Sequence, residues 1–300
     1  MTNTIEELRF GFLNEKLTLD SQFFSIQTLK NIDNDYKNII NSFWVENDWI
    51  YPPIEFHNKR PTKIQIRYTL PNSHILKLKK NQNEFFYNFV ILVLSFFYGT
   101  YLRQEKWGYF YRTPICKNKL VSFRISNKSD LASLLEESFI FFQNVNGSIR
   151  KLIYSTIHWF LIGQSYIHGF EKFDAQYRVL DCCYNLFLKL NNKKKTRHSQ
   201  WCETLCEFYS LPLSEWAKRD PKGNCKLSNF RNSFIHKATY NNEAIGLKVD
   251  KFNYEFWLTK FNERLILLIM GIKSDNILKP LHKSTYRIDN FSHYRRHLNE

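Results

Sequence analysis

The chain has 300 residues, 43% hydrophobic and 17% aromatic, enough to bury one large or two ordinary cores. Only 8 Pro and 9 Gly argue against long flexible linkers, and 6 Cys in a chain this long argue against a disulfide framework. Lys and Arg number 43 against 28 Asp and Glu, a formal charge of +15 that suits a polyanionic partner such as nucleic acid, or simply solubility.

Met1 to Leu8 is polar and acidic rather than charged-then-apolar, so no secretory leader is expected and a reducing cytoplasm is the default compartment. The first 125 residues read as mixed α and β. Lys63–Leu70 alternates, with Ile64, Ile66, Tyr68 and Leu70 on one face, and predicts a half-buried strand. His74–Lys79 and Lys119–Ser126 read alike, and Trp107–Tyr111 is aromatic enough for a strand. Pro52-Pro53 and Pro71-Asn72 mark turns. Phe85–Tyr98 is the most apolar stretch. It is shorter than the roughly 20 residues of a membrane span and is flanked by Lys79, Lys80, Arg103 and Lys106, so a buried helix and no membrane are expected.

From Asp130 onward the apolar residues recur at helical spacing. Asp130 is the expected N-cap of a helix over Leu131–Phe142, broken by Asn146-Gly147. A second helix runs from Ile149 and is expected to end at Gly169. A third covers Glu171–Leu190, with Phe173, Tyr177, Leu180, Tyr184 and Phe187 as its stripe. A basic loop, Asn191–His198, precedes a short helix over Gln200–Tyr209. Leu227–Lys237 and Phe252–Ile272 complete the set, followed by a basic tail from Lys273. The fold class expected is therefore α+β: a strand-containing N-terminal domain over 1–128 and an all-α bundle over 129–300 with its core at 150–272.

The segment Phe230-Arg-Asn-Ser-Phe-Ile-His236 concentrates chemistry. At about 100° per residue, Asn232 and His236 stack on one helical face, Arg231 lies beside them, and Phe230 and Phe234 face the core. An imidazole moves protons near neutral pH, and a guanidinium holds phosphate oxygens. Alone, an Arg and a His at this spacing are more often a surface cation and a satisfied buried donor. The segment resembles the R-x(4–6)-H signature of the HEPN superfamily, in which Asn commonly follows the Arg. The helix EKFDAQYRVLDCCYNLF (Glu171–Phe187) and the closing run Leu267–Gly271 are similar to that family's, and the nearest likeness is to the ApeA-like branch associated with defence against phage. The resemblance covers roughly residues 150–272.

What the resemblance implies is a metal-independent endoribonuclease, needing no cofactor, that cleaves RNA through 2′-hydroxyl attack and acts as an abortive-infection effector or toxin. His236 would be its general base or acid, Arg231 would stabilise the transition state and Asn232 would position the phosphate. Asp181 would orient Arg231 or His236, although Asp stands where the family usually has Glu. A homodimer with a composite active site is implied, with a phage-derived trigger acting at the N-terminal domain. Lys193, Lys194, Lys195, Arg197 and His198 of the basic loop, and Lys237 beside the motif, are candidate RNA-backbone contacts or simply solvated residues.

Two other readings stand beside this one: a non-catalytic HEPN module for binding or dimerisation, and, from charge alone, a DNA-binding regulator. His198, Cys202, Cys206 and Cys225 have spacing that could hold zinc, but without a CxxC knuckle they read as core, and no metal is expected. Asp33/Asp35 and Glu136/Glu137 lack dyad spacing, and there is no P-loop, dinucleotide fingerprint or GxSxG. Trp44, Trp49, Trp107 and Tyr109 line a ligand site or fill the core of the N-terminal domain.

Overall fold

A computed structural model describes residues 7–42, 44–57, 60–64, 67–80, 82–105, 107–240, 243–245, 253–272 and 278–280. The fold is α+β, with an antiparallel sheet region preceding a helical one. Its contacts divide it into two units, the first running to Asn146 and taking in Gln164–Tyr166 and 278–280, the second holding the rest.

The first unit opens with β1 (Leu8–Gly11), β2 (Leu19–Asp20), β3 (Phe24–Thr28) and α1 (Ile32–Ile40). Two short hairpins follow, β4 (Val45–Glu46) with β5 (Trp49–Ile50) and β6 (Ile54–His57) with β7 (Arg60–Ile64). Next come β8 (His74–Leu78), α2 (Glu84–Tyr98), β9 (Arg103–Gln104), β10 (Thr113–Pro114), β11 (Phe123–Ile125) and α3 (Lys128–Asn144). The main sheet is antiparallel throughout, in the order β2-β3-β8-β1-β9, with Leu76 opposite both Leu8 and Ile26.

Helix α2 is apolar all round, and every residue from Phe86 to Tyr98 except Asn88 is buried, as a central helix of a core requires. Among the described residues no helix is long and apolar enough to cross a membrane. Asn83 caps its start by accepting from Phe85 N–H at 3.1 Å. Gly99 ends it at φ 57°, and a Cβ there would come within 2.5 Å of Val121.

Helix α3 packs within the first unit. Phe139 packs against Phe24 and Phe86, and Phe142 stacks on Phe89 with ring centroids 3.7 Å apart. The apolar face of α3 thus belongs to the sheet unit. Its N-cap is Asn127, which accepts from Asp130 N–H at 2.8 Å, so Asp130 sits in the first turn, where its charge suits the helix dipole.

Two strand expectations need correction. In Lys63–Leu70, the strand β7 stops at Ile64, residues 65–66 lie outside the described residues, and Tyr68 makes an isolated bridge to Tyr109. Trp107–Tyr111 forms only that bridge. Tyr109 is buried while Trp107 and Phe110 are about half exposed, so the aromatic content did not signal a ladder.

The second unit consists of α4 (Gly147–Ser165), α5 (Gly169–Asn191), a 3-10 turn at His198–Gln200, α6 (Trp201–Tyr209), α7 (Lys226–Lys237), the hairpin β12 (Thr239–Tyr240) and β13 (Glu243–Ala244), and α8 (Tyr254–Ile269). Gly147 begins α4, and Gly169 begins α5 instead of ending α4: Glu171 reaches back to accept from His168 N–H at 3.3 Å. Ile153, Ile157, Phe160 and Leu161 of α4 are fully buried. The stripe of α5 expected from its spacing is buried throughout. Between α5 and α8, Asn262 donates to the Gln176 carbonyl at 2.8 Å and to Gln176 Oε1 at 3.0 Å. Leu278–Pro280, β14, lies in the basic tail but belongs to the first unit, where it pairs with β11.

Candidate active site

Helix α7 is set in place by three features. Its start is locked at Cys225, whose Sγ accepts from Ser228 N–H at 3.3 Å while Ser228 Oγ accepts from Cys225 N–H at 3.1 Å. Leu227 and Ser228 are buried. Phe230 and Phe234 then clamp it: Phe173 of α5 meets them at 4.6 and 5.5 Å, and Phe230 meets Tyr254 of α8 at 4.4 Å and Tyr240 of β12 at 5.3 Å. The sequence expectation that these two rings hold a core face is met.

That clamp decides which side chains face inward. Arg231 and Ile235, one turn apart, line a cleft of about 500 Å³. The opposing wall is one face of α5, with Asp174, Tyr177, Arg178 and Asp181, and the third side is Lys195, Thr196, His198 and Trp201. The loop of this third side is pinned to α5: Thr196 N–H donates to Tyr184 Oη at 3.2 Å, and Trp201 Nε1 donates to the Thr196 carbonyl at 3.3 Å.

Arg231 donates through Nη1 to Asn232 Oδ1 at 3.2 Å, and its guanidinium carbon lies 5.9 Å from the Tyr177 ring centre. Tyr177 Oη is 3.3 Å from His198 Nδ1. Burial pushes the Tyr177 phenol well above its ordinary value, so it stays protonated, and its oxygen can accept from His198 Nδ1–H. Burial, and then the charge of Arg231, hold His198 below the usual imidazole value. In the cleft, Arg178 is paired with Asp174 at 3.0 Å. Lys195 and Arg231 form no ion pair with a described residue; Lys195 Nζ lies 5.6 Å from the Trp201 ring centre. Two cations outside any ion pair among the described residues thus line one cavity, with the Asp181 carboxylate on the facing wall.

The expected site residues are divided by this geometry. Arg231, Asp181 and Lys195 share the cleft, and Asn232 touches Arg231 from the adjoining face. Asp181 accepts from Asn185 Nδ2 at 3.1 Å and makes no hydrogen bond or ion pair to Arg231 or His236. His236 is exposed near the end of α7 and is not among the cleft-lining residues. Lys237 and Arg197 are exposed, and Lys193 and Lys194 line a neighbouring hollow of about 340 Å³ with Phe187 and Phe208. Tyr177 and Trp201 are among the cleft residues that sequence reasoning did not assign. Tyr177 read as core, because its stripe position is buried, and His198 read only as a candidate RNA-backbone contact or zinc ligand.

The cysteines of that zinc arrangement are elsewhere engaged. Cys202, Cys206 and Cys225 are buried, burial pushes the Cys206 thiol up to about 12, and Cys225 serves as a cap. Among the described residues no group of three or more His, Cys, Asp or Glu could hold a metal ion.

Compared with known proteins, the chain matches no protein-family model, no curated protein and no solved structure.

Proposed function

We propose that the chain is a metal-independent endoribonuclease of HEPN type that cleaves RNA through its own 2′-hydroxyl. The observation that carries this reading is Arg231, held against Asn232 and Tyr177 at the wall of a cleft that also takes an unpaired Lys195 and an imidazole. A fixed guanidinium beside a second cation suits a phosphate that gains charge in the transition state. In this reading Arg231 stabilises that charge, Asn232 orients it and His236 moves a proton. Asp181 contributes the field of a carboxylate rather than a direct bond. Lys193, Lys194, Arg197 and Lys237 are exposed cations suited to the RNA backbone.

His236 and Ile235 stand exposed together on α7, which supports a homodimer in which a second copy faces this helix and completes the site. The cellular role proposed is that of a cytoplasmic abortive-infection effector or toxin, with the N-terminal unit receiving a phage-derived trigger. The position of His236 outside the cleft favours a second reading, a HEPN module that binds RNA without cutting it.

Incubation of the purified chain with RNA in EDTA separates the two. Cleavage leaving 2′,3′-cyclic phosphate ends, lowered on the order of 100-fold or more by Arg231→Ala, is the expected result. Tight binding with intact RNA at saturating wild-type protein would overturn the nuclease reading.

A further inference from the structure

Attack by a 2′-hydroxyl needs one group to take a proton and another to give one. Among the described residues one imidazole, that of His198, lines the cleft with Arg231. Its ring is positioned by Tyr177 Oη, 3.3 Å from Nδ1, and by Trp201, which meets it edge to face with centroids 6.2 Å apart. Nε2 makes no hydrogen bond to a described residue. Resting on the ribonuclease reading, we propose that His198 is the general base of the reaction and shares one bound phosphate with Arg231.

The step balances without any further reagent. The 2′-oxygen bonds to phosphorus and its proton passes to His198 Nε2, which is free to take it in the tautomer whose Nδ1–H donates to Tyr177 Oη. The bond from phosphorus to the 5′-oxygen breaks, and that oxygen takes a proton from a second donor, the role left to His236 of a second copy facing this cleft in the proposed homodimer. The charged and titratable groups that face His198 across the cleft are Asp174, Tyr177, Arg178 and Asp181 of α5, Lys195 of the loop and Arg231 of α7. Arg178 and Asp174 cancel as a pair, so the net surroundings are cationic and favour the neutral ring that a base requires. Tyr177 is a positioning residue, because it reaches the reacting atoms only through His198.

The test has two arms on the full chain. In the first, pH–rate profiles of RNA cleavage are compared for wild type, His198→Gln and His236→Gln. The expected result is a loss on the order of 100-fold in kcat/KM for His198→Gln with disappearance of the acidic limb, whereas His236→Gln lowers the rate and keeps the acidic limb. Should His198→Gln fail to fold by circular dichroism, Tyr177→Phe is expected to shift the acidic limb. In the second arm, histidine-labelled protein is titrated with uridine 3′-monophosphate and followed by NMR. The His198 ring signals are expected to move and to titrate at higher pH with the phosphate bound, and Arg231→Ala is expected to abolish this. Wild-type cleavage with an unchanged acidic limb in His198→Gln would overturn the role of His198 alone. A His198 response to the nucleotide with RNA left intact would overturn the nuclease reading and the proton transfer together, leaving a shared phosphate site. No response of His198 to the nucleotide would overturn the shared site.

Discussion

His74 makes the stability of the first unit depend on acid, and the size of the effect follows from its surroundings. The ring is fully buried on β8 and stacks on Phe10 with centroids 5.5 Å apart. Thr28 Oγ1 already donates to the Leu17 carbonyl at 3.0 Å, so at 3.1 Å from Nε2 it accepts the ring proton. Ser73 Oγ accepts from Leu13 N–H at 2.9 Å, and its own proton goes to Nδ1 at 2.8 Å. The network thus suits one ring proton, and a second would have to turn the Ser73 hydroxyl away. Burial lowers the His74 value from 6.5 to about 4. Because the folded value lies below the unfolded one, the unfolded chain binds the proton first. Stability from this group is complete above pH 6.5 and is lost as pH falls towards 4. At 1.36 kcal/mol per tenfold, the loss is about 3 kcal/mol. Urea unfolding of wild type and His74→Gln, repeated from pH 7.5 to 4, measures it. Carboxylate titrations are common to both proteins and cancel in the difference, and any fixed cost of the substitution is an offset rather than a slope. Parallel stability curves for the two proteins would refute the assignment of a neutral, buried His74.

Three further predictions concern the helix that carries the motif. Phe230→Ala removes the ring between Phe173, Tyr240 and Tyr254 and is expected to destabilise the second unit by about 3 kcal/mol, read by chemical denaturation. Cys225→Ala removes the Sγ cap and is expected to cost about 1 kcal/mol, while Cys225→Ser restores most of it; equal stabilities of the two variants would deny the cap. Ala238 ends α7 at φ 51°, a left-handed conformation that penalises a Cβ, so Ala238→Gly is expected to raise stability by about 1 kcal/mol and to increase Tm.

The helices of the second unit were readable because each must bury one stripe, and the stripe of α5 repeats at the helical period without interruption. Their ends were less readable. Gly169 suits a helix stop, but the reach of Glu171 back to His168 makes it a start, a distinction that depends on one side-chain rotamer. Asp130 and Asn127 are both good caps, and only the backbone at Asn127 selects between them. In the first unit, β2, β4, β5, β9 and β10 have two residues each, too few for alternation to show. The aromatic run at Trp107–Tyr111 misled for another reason. Large rings there serve Arg103 and the Tyr68 bridge rather than a ladder.

The candidate site shows the same division between what spacing determines and what packing determines. Spacing places Asn232 and His236 on one face and Arg231 with Ile235 about 100° away. It leaves open which face turns inward. Phe230 and Phe234 settle that by docking on Phe173, and the outcome is that Arg231 enters the cleft while His236 stays outside. A short motif on one helix therefore serves two surfaces. The inward surface finds its imidazole on a distant segment, His198, which chain spacing alone could not connect to Arg231. The outward surface keeps an exposed imidazole, and Ile235 at the rim of the cleft beside it is also about half exposed, a pairing suited to contact with another molecule rather than to an isolated chain. If the ribonuclease reading holds, chemistry at Arg231 needs both surfaces at once. Activity should then rise with protein concentration through the range where copies associate, while nucleotide binding in the cleft should not.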